Sequence, residues 1–564
     1  MILPTPQTIR QIKHIKTMKE SFFTVATLLL ISLMSTAYGQ VEQAAYTELE
    51  VDRKAGTDYQ TLLTGDKGVL CFLESKESQK GGKRPLRLYF YDQNLHLKWE
   101  QAYSIDYAEE ILYEAYEDGT AYFLTQQKED EYRILSIDIK EGMLRAVKLS
   151  PIKGYLVTRF MVYNEQAITG GEVNDHPLVL LHSLSKDTPP TVLPSISQLD
   201  AELLDIVIDS TFSNFYVVMD KTKPLSEQAI YLNRYDMQGN LELNTVVPFS
   251  NEYNMLSYQA LPTKDEHTLM IYGTYGLGND TGTQGVYNFK LEDGKLVNNR
   301  FYDFSYLKNF FNYLNDRQKK RKLRRIQRQF DNGKRMRHRY KCFVHPLQIQ
   351  EDRIILTLET YNATADYRRS NWSPGTGYGS WSDPSLRRYM NTLGYYGFMP
   401  MSFVQNRWTD RANFPTNFEY KHAVTLSFNK RGQLLWDNSF IFNDDTESSF
   451  PIEKAQVAVW NDTSLVVQTG EDEENLFFKI SYESQFQEER DTLALPLPYV
   501  GDKYRTSEYG GVLYWYNKSF ISSGLRKIRN TGDRDMNRHV FYLAKFSYTG
   551  VRPEETAAED QVEK

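Results

Sequence analysis

"YDQNLHLKW" at residues 91–99 and "FNKRGQLLW" at 428–436 open on an aromatic residue, pass through a polar turn and place a Trp eight positions after the start. "YDMQGNLEL" (235–243) and "FSYTGV" (546–551) keep an aromatic-to-Gly offset of four. "IDIKEGML" (137–144) and "FKLEDGKL" (289–296) hold a Gly turn between two strand-like runs. Apolar and aromatic runs broken by Asn, Asp or Gly are a hairpin signal. A hairpin that returns in several places points to a repeat.

Upstream of these hairpins a second pattern recurs eight times, a polar turn followed by a short apolar strand. The segments are GDKGVLCFL (65–73), EDGTAYFL (117–124), YNEQAITGG (163–171), DSTFSNFYVVM (209–219), KDEHTLMIYG (264–273), QEDRIILTL (350–358), WNDTSLVVQ (460–468) and EYGGVLYWY (508–516). Each unit therefore carries about four strands. Taking Val69, Ala121, Ala167, Phe215, Leu269, Ile354, Leu465 and Val512 as markers, the steps are 52, 46, 48, 54, 85, 111 and 47 residues. Removing 305–342 shortens the step of 85 to 47, and removing 361–420 shortens the step of 111 to 51.

Four strands per period of roughly fifty residues is the spacing of propeller blades. Over residues 44–551 the chain resembles β-propellers of the WD-repeat, Kelch and quinoprotein-like kind, in period and turn pattern alone. The Gly-His and Trp-Asp dipeptides of WD repeats and the paired Gly of Kelch are absent. The expected fold is all-β: one β-propeller of about eight four-stranded blades, or seven if a terminal unit is a partial blade closing the ring. Two separate β-sandwich domains are the competing arrangement. The acidic tail 552–564 is expected to be disordered.

Both insertions are expected on one face. In a four-stranded blade, the loops joining strand two to three and strand four to the next blade emerge on the same side. The first insertion joins two blades, and the second follows strand two of its blade. Loops on a rigid framework are where binding concentrates.

The first insertion reads as helical. Ser305 is placed to cap "YLKNFFNYL", and Asn315 or Asp316 a second helix with Leu323, Ile326 and Phe330 on one stripe, ending near Gly333. Residues 317–341 hold thirteen Lys and Arg against one acid, Asp331, in a chain of formal charge −7. The candidate partner-binding cations are Arg317, Lys319, Lys320, Arg321, Lys322, Arg324, Arg325 and Arg328. They suit an anionic surface or a solvated helix with inward ion pairs. The second insertion holds fourteen aromatics in 60 residues, including Trp372, Trp381 and Trp408, interleaved with Arg. That composition fits protein interfaces and sugar-stacking platforms as well as a loop packed on its own propeller.

The N-terminus decides which anion is available. From Met18, "MKESFFTVATLLLISLMSTAYGQ" has a basic start and an apolar run from Phe22 to Met34. Ala37 and Gly39 stand at −3 and −1 of a cleavage site before Gln40. The run is too short to span a bilayer, so no transmembrane anchor is expected. Export to the periplasm, cell surface or medium weighs against nucleic acid as partner, although the charge density would suit phosphates. Only Cys71 and Cys342 remain after cleavage; two inert thiols are expected rather than a bridge.

No metal-ligand spacing, nucleophile elbow, calcium loop or phosphate loop is found, so no cofactor is expected; "GTYGLGNDTG" (273–282) reads as a hairpin loop and His176 and His182 as incidental. The expected function is an exported non-catalytic binding or scaffold propeller, engaging a protein, a glycan or an anionic envelope surface. The alternative is a carbohydrate-active or other hydrolase with carboxylates in the propeller channel, which would leave no linear motif.

Overall fold

Runs of Val, Ile, Leu, Phe and Tyr between polar turns become strands because branched and aromatic side chains pack well on a pleated surface. The computed structural model describes residues 41–548, apart from 52–58, 222–228, 365–416, 443–446, 449–453, 461–462, 470–474, 483–487, 531–536 and single positions 76, 129, 175, 187, 198, 251, 266, 279, 281 and 351. The chain divides into two compact units, Met1–Ala44 with Phe546–Lys564, and Ala45–Lys545. The described residues of the first, 41–44 and 546–548, are strand. The expected signal peptide and acidic tail lie outside the described residues.

One sheet shows the plan. Strands Tyr59–Leu63, Val69–Glu74, Lys83–Tyr91 and Leu97–Asp106 pair antiparallel in chain order. Val69–Glu74 is buried at every position, whereas Leu97–Asp106 is mostly exposed. An inner strand covered on both faces needs a continuous apolar run, and an outer strand does not.

Eight sheets form on this plan, those over 253–303 and 341–448 carrying one and two short strands besides the four. Seven use consecutive strands: 59–106, 110–148, 156–192, 201–248, 253–303, 341–448 and 455–494. The eighth combines Asp502–Tyr514, Ser519–Asn530 and Asn537–Tyr548 with Val41–Glu50 as its outer strand. They are blades one to eight below. The arrangement is a β-propeller of four-stranded sheets, seven continuous in sequence and one closed from both chain ends.

Apolar seams join neighbours around the ring. Phe72 meets Phe123 edge-on at 4.8 Å between blades one and two. Ile168 and Val179 pack with Phe215 and Val217 between three and four, and Met270 with Leu426 between five and six. Blade seven reaches eight where Gln456 Oε1 accepts from Tyr514 N at 2.9 Å. Blade eight reaches one where Tyr59 stacks on Phe541 at 4.9 Å and Trp515 Nε1 donates to Gly65 O at 2.7 Å. Burial of each large apolar side chain in such a seam contributes about 1.5–3 kcal/mol.

Three of the quoted hairpins, at 91–99, 235–243 and 428–436, share one turn. Asp92 Oδ1 accepts from Asn94 N at 2.9 Å and His96 N at 3.0 Å. Asp236 does the same for Gln238 and Asn240, and Asn429 for Arg431 and Gln433. The position four after the aromatic has positive φ: Gly239 at 86°, Gly432 at 71° and Leu95 at 58°. Leu95 accepts that unfavourable backbone because its side chain is buried in the seam between blades eight and one. Trp99 Nε1 donates to Ile139 O at 2.7 Å, so this tryptophan ties blade one to the turn of blade two.

Candidate functional site

The first insertion leaves blade five at Asp303. Its carboxylate accepts from Ser305 N at 2.8 Å and caps a 3-10 turn, Phe304–Tyr306. The expected cap, Ser305, is therefore displaced by the residue two before it. The expected first α-helix is also absent: a second 3-10 turn, Phe310–Tyr313, follows instead. Phe304, Leu307, Phe310 and Phe311 are all buried in the seam between blades five and six, and Phe304 stacks on Phe310 at 4.1 Å. These four would share one face of a regular helix, so burial alone does not exclude one; the run is interrupted at Lys308 and Asn309, whose amides bond to Asp437 of blade six.

A carboxylate of blade six fixes the turn. Asp437 accepts from Lys308 N at 2.9 Å and Asn309 N at 2.7 Å, and its carbonyl accepts from Asn309 Nδ2 at 2.7 Å. Burial pushes the Asp437 carboxyl above the ordinary range, while these amides pull it back. Tyr313 then stacks on His422 at 3.8 Å and its hydroxyl meets that of Tyr340 at 2.8 Å.

The second expected helix forms as α1, Asp316–Asp331. Asn315 caps it by accepting from Gln318 N, and Gly333, at φ +66°, ends it with Lys334 N bonded to Gln329 O. The expected apolar stripe is only partly used: Ile326 packs on the seam, but Leu323 and Phe330 are 42% and 61% exposed. Lys319 and Lys322 take the inward positions instead. Lys319 Nζ bonds to Asn312 Oδ1, and Lys322 Nζ lies 5.6 Å from the centre of the Phe311 ring. Long aliphatic stems let lysine cover apolar surface in this way. Burial, helped by the charge of Arg325, lowers the Lys322 pKa.

The other six cations of the helix, Arg317, Lys320, Arg321, Arg324, Arg325 and Arg328, are exposed. Among the described residues none of them forms an ion pair. Ion pairs to the body begin after the helix, with Arg335 to Glu252 at 3.1 Å and Arg339 to Asp280 at 3.0 Å. Four exposed pairs stand at i,i+4: Arg317–Arg321, Lys320–Arg324, Arg321–Arg325 and Arg324–Arg328. Each like-charge pair costs a helix about 0.2–0.5 kcal/mol.

The first insertion ends beside the strands from which the second departs. Blade six begins with Lys341–Val344, whose Lys341 lies opposite Tyr361 near the end of strand Arg353–Thr364. Tyr361 in turn lies opposite Tyr420 of Asn417–Asn429. The first insertion thus returns beside the strand ends between which residues 365–416 run. Residues 361–364 and 417–420, assigned to the insertion from sequence, are strand. Trp372, Trp381 and Trp408 lie outside the described residues.

One arrangement resembles catalytic chemistry. Ser305 Oγ lies 2.7 Å from His338 Nε2, and Asp303 Oδ1 lies 3.7 Å from the same nitrogen. A relay needs acid and hydroxyl on opposite ring nitrogens. With both on Nε2, and burial lowering the His338 pKa to about 4, the trio is a structural tie. No group of three or more metal-ligating side chains occurs among the described residues. His176 and His182 share one strand; His182 is buried against Thr169 Oγ1 at 2.9 Å and His176 is exposed. Cys71 and Cys342 are free thiols. Sequence reading missed Asp303, Asp437 and His422, because a lone acid or histidine in a strand carries no linear signal of what it will face.

No protein-family model and no curated protein matches the chain. Among solved structures, similarity is found to prolyl oligopeptidase B from Galerina marginata, at 9% identity and a TM-score of 0.38, covering 87% of this chain and 56% of that one. Similarity to a structure from a study of two prolyl endopeptidases has 9% identity and a TM-score of 0.36, covering 85% and 55%. A lignostilbene dioxygenase from Pseudomonas brassicacearum follows at 9% identity and 0.29, covering 45% and 67%. The chain spans little more than half the length of the two peptidases. Likeness this weak bears on neither activity nor partner.

Proposed function

We propose that the protein is an exported, non-catalytic binding or scaffold β-propeller. It would work in the periplasm, at the cell surface or in the medium, and engage a protein, a glycan or an anionic envelope surface through the face that carries both insertions. The supporting observation is α1: six exposed cations without an acidic partner among the described residues, on a helix held down by Ile326, Lys319 and Lys322. Repulsion within that row lowers the stability of the helix, so folding alone gives no reason to keep it. The N-terminal segment supports export.

Affinity capture from the native cell envelope tests the reading. One variant carries Gln at the six exposed cations. A second replaces 365–416 by an Asn-Gly turn, which can close the hairpin because Thr364 already lies opposite Asn417. At least one variant is expected to lose what the wild type captures while keeping its far-ultraviolet circular dichroism. An unchanged captured set from both folded variants defeats the proposal.

A further inference from the structure

We infer that α1 binds an anionic lipid surface, lying in the headgroup layer with Leu323 and Phe330 inserted. This rests on the binding-module reading above and names the partner of its basic face. Three observations carry it. First, the six exposed cations stand on one broad side of the helix, since at 100° per residue Lys320, Arg324, Arg317, Arg328, Arg321 and Arg325 fall in successive directions within less than half a turn. Second, Leu323 and Phe330, seven residues apart and so nearly superposed along the axis, lie together beyond the Lys320 edge of that side, between it and the packed Ile326, and remain exposed. A helix with cations on one side and an exposed aromatic at their border is built for an interface between water and hydrocarbon. A sulfated polysaccharide held by its charges has no use for the apolar pair, which is the difference that heparin tests.

Third, the charge is polarised. The chain carries −7 overall while residues 317–341 hold thirteen cations and one acid. A negatively charged sheet would attract this edge and repel the rest, which orients the molecule before contact within about a Debye length. Lys319 and Lys322 hold the helix on the ring. Their burial leaves the outer row as the part that meets the membrane. The bond is reversible, because each cation near an anionic leaflet adds only a modest increment.

Co-sedimentation with unilamellar vesicles tests the assignment. The full exported chain is mixed with vesicles of phosphatidylcholine alone or of phosphatidylcholine with phosphatidylglycerol, and heparin binding is measured in parallel. Sedimentation is expected with the anionic vesicles only, weakening as salt rises. Gln at Arg321, Arg325 and Arg328 is expected to lower vesicle affinity on the order of a hundredfold. The double substitution Leu323→Ser, Phe330→Ser is expected to lower it roughly tenfold and to leave heparin binding unchanged. Failure of the wild type to sediment with anionic vesicles overturns the inference. So does a Leu323→Ser, Phe330→Ser variant that binds vesicles as well as the wild type, which would make the helix a general polyanion site. Insertion-dependent capture without vesicle binding leaves the binding-module reading intact and removes only the lipid.

Discussion

At the residue scale the chain tolerates side chains where its turns ask for glycine. The hairpin joining the first two strands of blade three puts Asn164 at φ 48° and Glu165 at φ 57°. A two-residue turn of this kind prefers Asn-Gly, and a residue with a Cβ in the left-handed region costs about 1–2 kcal/mol. Glu165→Gly is therefore expected to stabilise the protein by about 1 kcal/mol, less the entropy that glycine adds to the unfolded chain. A rise in urea midpoint at unchanged slope would report it; a fall would mean that the glutamate side chain makes a contact stronger than the strain. At Leu95 the same backbone strain is offset by burial, so glycine there is expected to destabilise.

Among elements, the fate of residues 304–331 follows from what each segment can bury. Asn315 could be read in advance as a cap because capping is local, three residues from donor to acceptor. The aromatic segment before it could not, since Phe304, Phe310 and Phe311 take their shape from a seam formed by strands far away in sequence. Blade period and hairpin turns were legible for the same reason that Asn315 was: Asp92, Asp236 and Asn429 organise their turns within four residues. Asp437 lies more than a hundred residues beyond the amides it holds, so only the fold reveals it. Asp437→Ala leaves two amides without their acceptor and is expected to cost about 2 kcal/mol locally. Amide hydrogen exchange should quicken across 304–314 while Val69–Glu74 stays protected. Equal loosening of both segments would show that the clasp belongs to global stability.

For the whole molecule, acid is the natural stress. Burial lowers the pKa of His182 and His338 to about 4 and of His422 to about 3. Unfolded, each would take a proton near its ordinary value of about 6.5. The unfolded chain therefore binds more protons, and their stabilising contribution, complete above about pH 6.5, is lost as pH falls toward 4. Asp205 opposes this. Desolvation, partly countered by Arg159, raises it to about 6, so its contribution is complete below the ordinary carboxylate range and lost as pH rises through 6. With three groups against one, stability measured by urea at a series of pH values is expected to drop between pH 6.5 and 4. Replacing His422 by Asn should flatten that slope by the share of one proton. A slope unchanged in the variant would assign the acid sensitivity elsewhere.

The eighth sheet carries a consequence in time. Its outer strand, Val41–Glu50, leaves the ribosome before any other strand described, yet its neighbour Asn537–Tyr548 leaves last. Throughout synthesis the early strand has no sheet to join, and the growing ring stays open. Completion is thus a single late event that needs the whole polypeptide, and a chain cut short by a stalled ribosome or a nonsense codon carries an unlatched edge that quality-control proteases can read.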